Sequence, residues 1–378
     1  MQLMTLSWSQ DAGWSAPIPS HLDSDSTLVL AFGDPAIGSA PVPIKELRAG
    51  LPTSRLLGCS TAGQIHGDAL TDGTLVVSVA QFERTRVETT IASVSGPAES
   101  YAAGQGIAAA LDAPDLRAVF MLSDGLLVNG SELVRGCVGG LGPDVIVTGG
   151  LAGDRERFER TWVLADDEPV AGAVVAVGLS GSSVAVGSGS FGGWDIFGPE
   201  RRITRSEGNV LFELDGRPAL ELYKEYLGER ASGLPATALL FPLAVRETRD
   251  GARRTVRTIL AVDEDAQSMT FAGDVPQGWR AQLMRANKDR LVDGAMQAAE
   301  MSELPGVPRP QLAVAISCVG RRLVLGERTE EEIEATLEAL APGSELVGFY
   351  SYGEIAPHAE GFCELHNQTM TITTVGEV

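Results

Sequence analysis

With 378 residues, the chain is long enough for two domains or for one large domain with an extended core. Its net charge of −21, from 50 acidic and 29 basic residues, repels phosphate backbones and anionic lipid headgroups, so neither nucleic acid nor membrane is expected as a partner. A hydrophobic fraction of 44 % with only 6 % aromatic residues and 44 glycines describes a globular protein with aliphatic cores and many tight turns.

The four cysteines, Cys59, Cys137, Cys318 and Cys363, are widely spaced, which argues against a structural zinc site and for a reducing compartment. The N-terminus has no basic segment followed by an apolar one, and no window is long and apolar enough for a membrane helix. The chain therefore reads as cytoplasmic.

The opening twenty or so residues carry no regular pattern and are expected to be the least ordered. Residues 27–32 (TLVLAF), 117–122 (RAVFML) and 312–316 (LAVAI) are short apolar runs of the kind buried on both faces of a sheet. Each is followed by a segment with helical spacing, at 44–51, 130–141 and 329–340. In the last of these, Thr329 with Glu332 three residues on predicts a capping box. Further strands are expected at 75–82 and 365–372, and 173–190 reads as a hairpin. A strand at 210–214, a turn at Asp215-Gly216 and a helix from Pro218 to Leu227 stopped by Gly228 come next. Gly233-Leu234-Pro235 marks a boundary or a loop, 277–301 reads as the longest helix, and the proline-rich stretch 302–310 as a surface connection.

Each helix leads into a glycine-bounded junction. GCSTAGQI at 58–65 aligns without a gap on GFYSYGEI at 348–355, and a fainter third copy, GGLAGD, stands at 149–154. The fold class is therefore α/β (α+β), with repeated β-α-β-β units forming mixed sheets. Two such sheets facing each other would make an α/β/β/α layered sandwich, and a single long sheet is the alternative.

Chemistry is sparse. There is no phosphate-binding glycine loop of either the dinucleotide or the Walker type, no HExxH and no GxSxG. Only four histidines occur, and no two of them have helical metal-ligand spacing. Cys59, Cys318 and Ser123 are the candidate nucleophiles of a hydrolase or transferase, though no third group orients them. Ser123-Asp124 ends a strand, a favoured place for functional groups. The acidic runs 330–332 and 263–265 read as solvated charge, as does the basic cluster Arg253, Arg254 and Arg257.

The densest polar segment is the last. Tyr350, Tyr352, Glu354, Cys363, His366, Asn367, Gln368 and Thr369 fall close together, with Asn367-Gln368-Thr369 interrupting an otherwise apolar strand. Buried amides need partners. With Cys318 and Arg321 at the end of a neighbouring strand, these groups either line a pocket for a small polar ligand such as an amino acid or form a hydrogen-bonded core knot.

GFYSYGEIAP with CELHNQTMT, together with GCSTAGQI, SDGLLVNGSELVRG, VTGGLAGD, EGNVLFELDGRPALELYKEYLG and ISCVGRRLVLG, resembles the FIST family of signal-transduction sensors. The resemblance runs from about residue 25 to the end and implies an N-terminal domain over 25–215 and a C-terminal one over 216–378. It implies a cytoplasmic sensor without catalytic residues. The ligand-binding residues expected are Cys318, Arg321, Tyr350, Tyr352, Glu354, His366, Asn367, Gln368, Ser123 and Asp124. With no output domain in the chain, the signal is expected to pass to a separate protein such as a histidine kinase. Similar proteins that bind haem and sense nitric oxide make haem the one cofactor to consider, with His366 or His358 as axial ligand.

Overall fold

The computed structural model describes residues 1–248, 254–358 and 363–378. Three sheets share one connectivity. In the first, Thr27–Gly33 runs parallel to Arg55–Ser60 and antiparallel to Thr74–Gln81, whose other edge pairs antiparallel with Gln2–Ser9. The second repeats this with Leu116–Ser123, Ile146–Leu151, Ala173–Ser180 and Arg86–Ser93. The third repeats it with Gln311–Cys318, Ser344–Ser351, Met370–Glu377 and Val184–Phe191. Parallel neighbours require a crossover, supplied in turn by the helices Val42–Gly50, Gly130–Gly139 and Thr329–Ala339.

Alternation along the strands sets the layers. Leu28, Leu30 and Phe32 join Phe120, Leu122, Leu312, Val314 and Ile316 in one cluster to which all three sheets contribute. The intervening residues, Val29 and Ala31, Val119 and Met121, Ala313 and Ala315, lie in the outer clusters with the helices. The sandwich expected from two facing sheets is thus a three-sided β core with helices outside. Phe32 and Phe349 meet inside it with ring centroids 4.8 Å apart.

Each unit lends a hairpin to the next sheet. Gln64–His66 leaves the first unit to pair with Ser344–Ser351 of the third. Gly353–Pro357 leaves the third to pair with Ile146–Leu151 of the second, and Val163–Ala165 leaves the second to pair with Arg55–Ser60 of the first. The junctions between strand and hairpin close a ring. Gly153 N donates to Ser60 O at 3.0 Å, Tyr352 N to Leu151 O at 3.2 Å, and Ala62 N to Tyr350 O at 2.7 Å. At the head of each junction, a Cβ on Gly58, Gly149 or Gly348 would lie 2.4, 1.9 or 1.9 Å from the facing strand's carbonyl oxygen, so only glycine fits there.

Between Val184–Phe191 and the helix Lys288–Met301 sits an inserted eight-stranded antiparallel sheet, built from strands between Asp195 and Arg285 with its own core. The boundary expected between residues 215 and 216 falls inside this sheet, where Val210–Leu214 pairs with Arg217–Pro218. Among the described residues no helix is long and apolar enough to cross a membrane.

Several local expectations are corrected. Residues 173–190 are no hairpin, because Ala173–Ser180 stays in the second sheet while Val184–Phe191 crosses to the third. The N-terminal segment is ordered as the strand Gln2–Ser9, with the two-residue strand Gly13–Trp14 on its outer side. The longest helix starts only at Lys288, since Arg280–Arg285 is a strand of the insert. Residues 365–372 are two strands, Cys363–His366 and Met370–Glu377, with the polar interruption as the turn between them. No capping box forms at Thr329, whose hydroxyl instead donates to Gly326 O at 2.6 Å. Arg253 lies outside the described residues; Arg257 is buried and donates to Asp274 O and Leu365 O.

Candidate functional site

The predicted polar segment separates into two buried groups. Arg321 and Glu332 are both fully buried and form an ion pair, with Arg321 Nε 2.6 Å from the carboxylate. Tyr350 donates to the same carboxylate at 2.8 Å and Ser317 at 3.3 Å, while Arg321 Nη2 donates to Leu291 O at 2.8 Å. Every strong group here has a partner, so Arg321 and Tyr350 belong to a core knot rather than a pocket. Glu332, expected on the surface, is buried because the helix turns it toward Arg321.

The second group surrounds Glu354. Its carboxylate accepts from Ser351 Oγ at 2.7 Å and from Thr369 Oγ1 at 2.9 Å and N at 3.2 Å. Burial outweighs these bonds and raises its pKa to about 8. Asn367 and Gln368 occupy the adjoining turn, with Gln368 in the left-handed region at φ 62°. Both amide ends of Asn367 and Oε1 of Gln368 are buried without a hydrogen-bond partner among the described residues. Such groups are costly to leave unmatched, each at roughly 1–3 kcal/mol.

Tyr352 faces elsewhere. Its hydroxyl donates to the buried carboxylate of Asp154, which also accepts the N–H groups of Phe158, Glu159 and Arg160 at 2.9, 3.0 and 2.8 Å. These bonds hold Arg155 and Phe158 at φ 69° and 53°, a conformation L-residues adopt only when surroundings impose it. The Phe158 ring stacks on Tyr352, centroids 4.4 Å apart. Burial, then the Asp154 carboxylate, push the Tyr352 phenol up, so it remains a neutral donor.

The remaining expected residues do not join these groups. Asp124 accepts from Leu126 N and Leu127 N at 2.8 Å each and from Gly172 N at 3.1 Å, which makes it a turn-former. Ser123 Oγ donates to Asp124 O and has no base beside it. Burial raises the thiols of Cys59 and Cys318 well above their ordinary range, which suppresses the thiolate a nucleophile requires. His358 and His366 meet in a tilted contact, ring centroids 4.4 Å apart and planes at 53°, with Nε2 of one on Glu364 at 2.9 Å and of the other on Ala356 O at 2.9 Å. Haem iron needs an axial nitrogen with a free lone pair in an apolar slot. Neither ring lines the adjacent cleft, which is no apolar slot but is edged by the charged groups Glu132, Arg135, Arg257, Asp274 and Glu364. These residues do not fit the group.

The space that does adjoin the ring is a two-lobed cleft between it and the insert. The smaller lobe, about 190 Å³, is lined by Gly125, Asn129, Leu151, Phe158, Asn209, Leu260, Phe271 and Tyr352. The larger, about 480 Å³, is lined by Phe158, Leu234, Leu239, Leu240, Ile259, Leu260, Leu323 and Val324, with Glu156 its one charged group. Phe158 and Leu260 stand in both. Gln368 lies behind the larger lobe, its Nε2 3.4 Å from Leu239 O, and Asn367 lies beside Gly353, next to Tyr352. Sequence reasoning missed Asp154, Phe158 and Asn209. Asp154 had a signal, since it closes the third copy of the glycine junction, whereas Phe158 in the charged run RERFER had none.

Three mixed sheets in cyclic exchange, with an inserted sheet covering a cleft beside their ring, define an α+β protein built around a candidate ligand site. The chain belongs to the FIST family: the FIST N domain matches residues 27–217 and the FIST C domain residues 219–357. FIST domains are associated with the sensing of small ligands in signal transduction. The chain is 28 % identical over 240 residues to the uncharacterized protein Rv0628c of Mycobacterium tuberculosis, covering 61 % of each. It is 29 % identical over 245 residues to the uncharacterized protein Mb0898c of Mycobacterium bovis, covering 61 % of this chain and 60 % of the relative. The match thus spans about three fifths of the relatives' length. Among solved structures, a cyanuric acid hydrolase from A. caulinodans covers all of this chain, and 98 % of its own, at 9 % identity and a TM-score of 0.38. That likeness is too loose to support any inference.

Proposed function

We propose that the chain is a cytoplasmic sensor module that binds a small polar molecule, an amino acid or one of similar size, in the cleft beside Tyr352. Its occupancy is read by a separate signalling protein such as a histidine kinase. The observation that carries this reading is the double placement of Tyr352. Its backbone closes the ring between the second and third sheets, and its side chain lines the cleft. A ligand against that ring would bias the contact between units, which is what a sensor needs in order to report binding. The unmatched amides of Asn367 and Gln368 just behind the wall add to it, because a bound polar group reaching them would relieve their desolvation cost.

The test is the melting temperature of the full chain against each of the common amino acids in turn. A binder held at about a hundredfold over its Kd adds about 2.7 kcal/mol of stability and raises the melting temperature. The shift is expected to vanish in Asn209→Ala, and a flat panel would contradict the amino-acid version.

A further inference from the structure

We infer that the cleft takes an amphipathic ligand, with an uncharged hydrogen-bond-donating head in the smaller lobe and an aliphatic or aromatic tail in the larger. This rests on the reading of the cleft as the sensor's ligand site and narrows it from a free amino acid, whose carboxylate would find no counter-charge there, to a molecule with an uncharged head. The two lobes share Phe158 and Leu260 as lining residues, which sets a site for the head beside a site for the tail. In the smaller lobe Asn209 spends Nδ2 on Phe271 O at 2.8 Å, which leaves its amide oxygen as the acceptor on offer. Asn129 spends its oxygen on the N–H groups of Ser131 and Glu132 and its Nδ2 on Asp274. No arginine or lysine is among the lining residues of either lobe, so a carboxylate head would be desolvated without a counter-charge.

The larger lobe is the apolar counterpart. Phe158, Leu240, Leu260 and Leu323 are 38, 39, 38 and 43 % exposed, and all four converge on it. Scattered apolar side chains at a surface are ordinary, but four converging on one concavity are not. Its volume of about 480 Å³ lies in the ordinary range for a small-molecule site. A tail seated there covers this surface, while the head in the adjoining lobe fixes orientation beside Tyr352.

The test is calorimetric titration of the full chain with butanamide, hexanamide and octanamide, and with octanoate as the charged counterpart of the last. Affinity is expected to rise roughly fourfold for each added methylene until the lobe is filled, with octanoate weaker than octanamide. Leu323→Gln, at an exposed position, is expected to flatten the series. Leu240→Trp, which fills the lobe, is expected to abolish octanamide binding with little change in the melting temperature of the free protein, and it carries the comparison if Leu323→Gln unfolds. Equal affinities along the series, or tighter binding of octanoate, would overturn the inference. Should a polar amino acid raise the melting temperature while octanamide fails to bind, the tail is wrong and the sensor reading survives. Should neither bind, both fall.

Discussion

The Tyr352 hydroxyl, from the third unit, donates into the buried carboxylate of Asp154, from the second, just where the two units' junctions meet. One bond thereby couples the ring to the loop that carries Phe158 into the cleft. Tyr352→Phe keeps the ring stack and removes only the hydroxyl. It is expected to cost about 1–2 kcal/mol in urea unfolding and to loosen residues 155–160, seen as faster hydrogen exchange there. Unchanged exchange would show that Asp154 holds the loop alone.

The Arg321–Glu332 pair is expected to behave as a knot. Removing one member strands the other charge, so Arg321→Ala should destabilise by about 3–5 kcal/mol. The paired replacement Arg321→Met with Glu332→Leu should recover much of that loss. Chemical denaturation of the two variants checks this, and a double variant worse than the single one would contradict it.

Glu354 gives stability an alkaline limb. Burial raises this carboxyl from 4.5 to about 8, against the opposing bonds from Ser351 and Thr369 and the nearby Arg321 charge. A raised folded value means the contribution is complete below 4.5 and is lost as pH rises through about 8. Glu354→Gln, neutral at every pH, is expected to remove on the order of 2–3 kcal/mol of that decline. Unfolding curves across the range measure it; parallel profiles for the two proteins would refute the assignment.

Glu377 acts with the opposite sign. Burial pushes its carboxyl up, but the N–H groups of Glu83, Arg84 and Thr85, each 2.8 Å away, and the Thr85 hydroxyl outweigh this and hold it at about 2. Its contribution is present above the ordinary 4.5 and lost as pH falls through about 2. Glu377→Gln should cost about 2 kcal/mol at neutral pH and lessen the acid sensitivity. An unchanged acid limb would count against it.

The glycine junctions and the apolar strands beside them were legible because their cause is local. Gly348 must be glycine since its neighbour strand's carbonyl fills the place of a Cβ, and LAVAI must be buried on both faces whichever sheet it enters. The pairing partners were not legible. Gln64–His66 and Gly353–Pro357 read as continuations of their own units, yet each bonds to another unit's strand, a choice made by tertiary packing. Glu332 misled for a similar reason. Three glutamates in a row read as solvent-facing, and only the turn of the helix brings the last of them onto Arg321. The polar turn at Asn367-Gln368 was found as a cluster, but sequence alone could not separate its unmatched amides from the satisfied knot at Arg321 and Tyr350.

A crystal structure of the full chain soaked with whichever amino acid or amide raises its melting temperature most tests the ligand site directly. We expect density for that molecule against the Tyr352–Phe158 pair, within hydrogen-bonding distance of Asn209. A cleft holding only water, with the molecule bound elsewhere, would contradict the account.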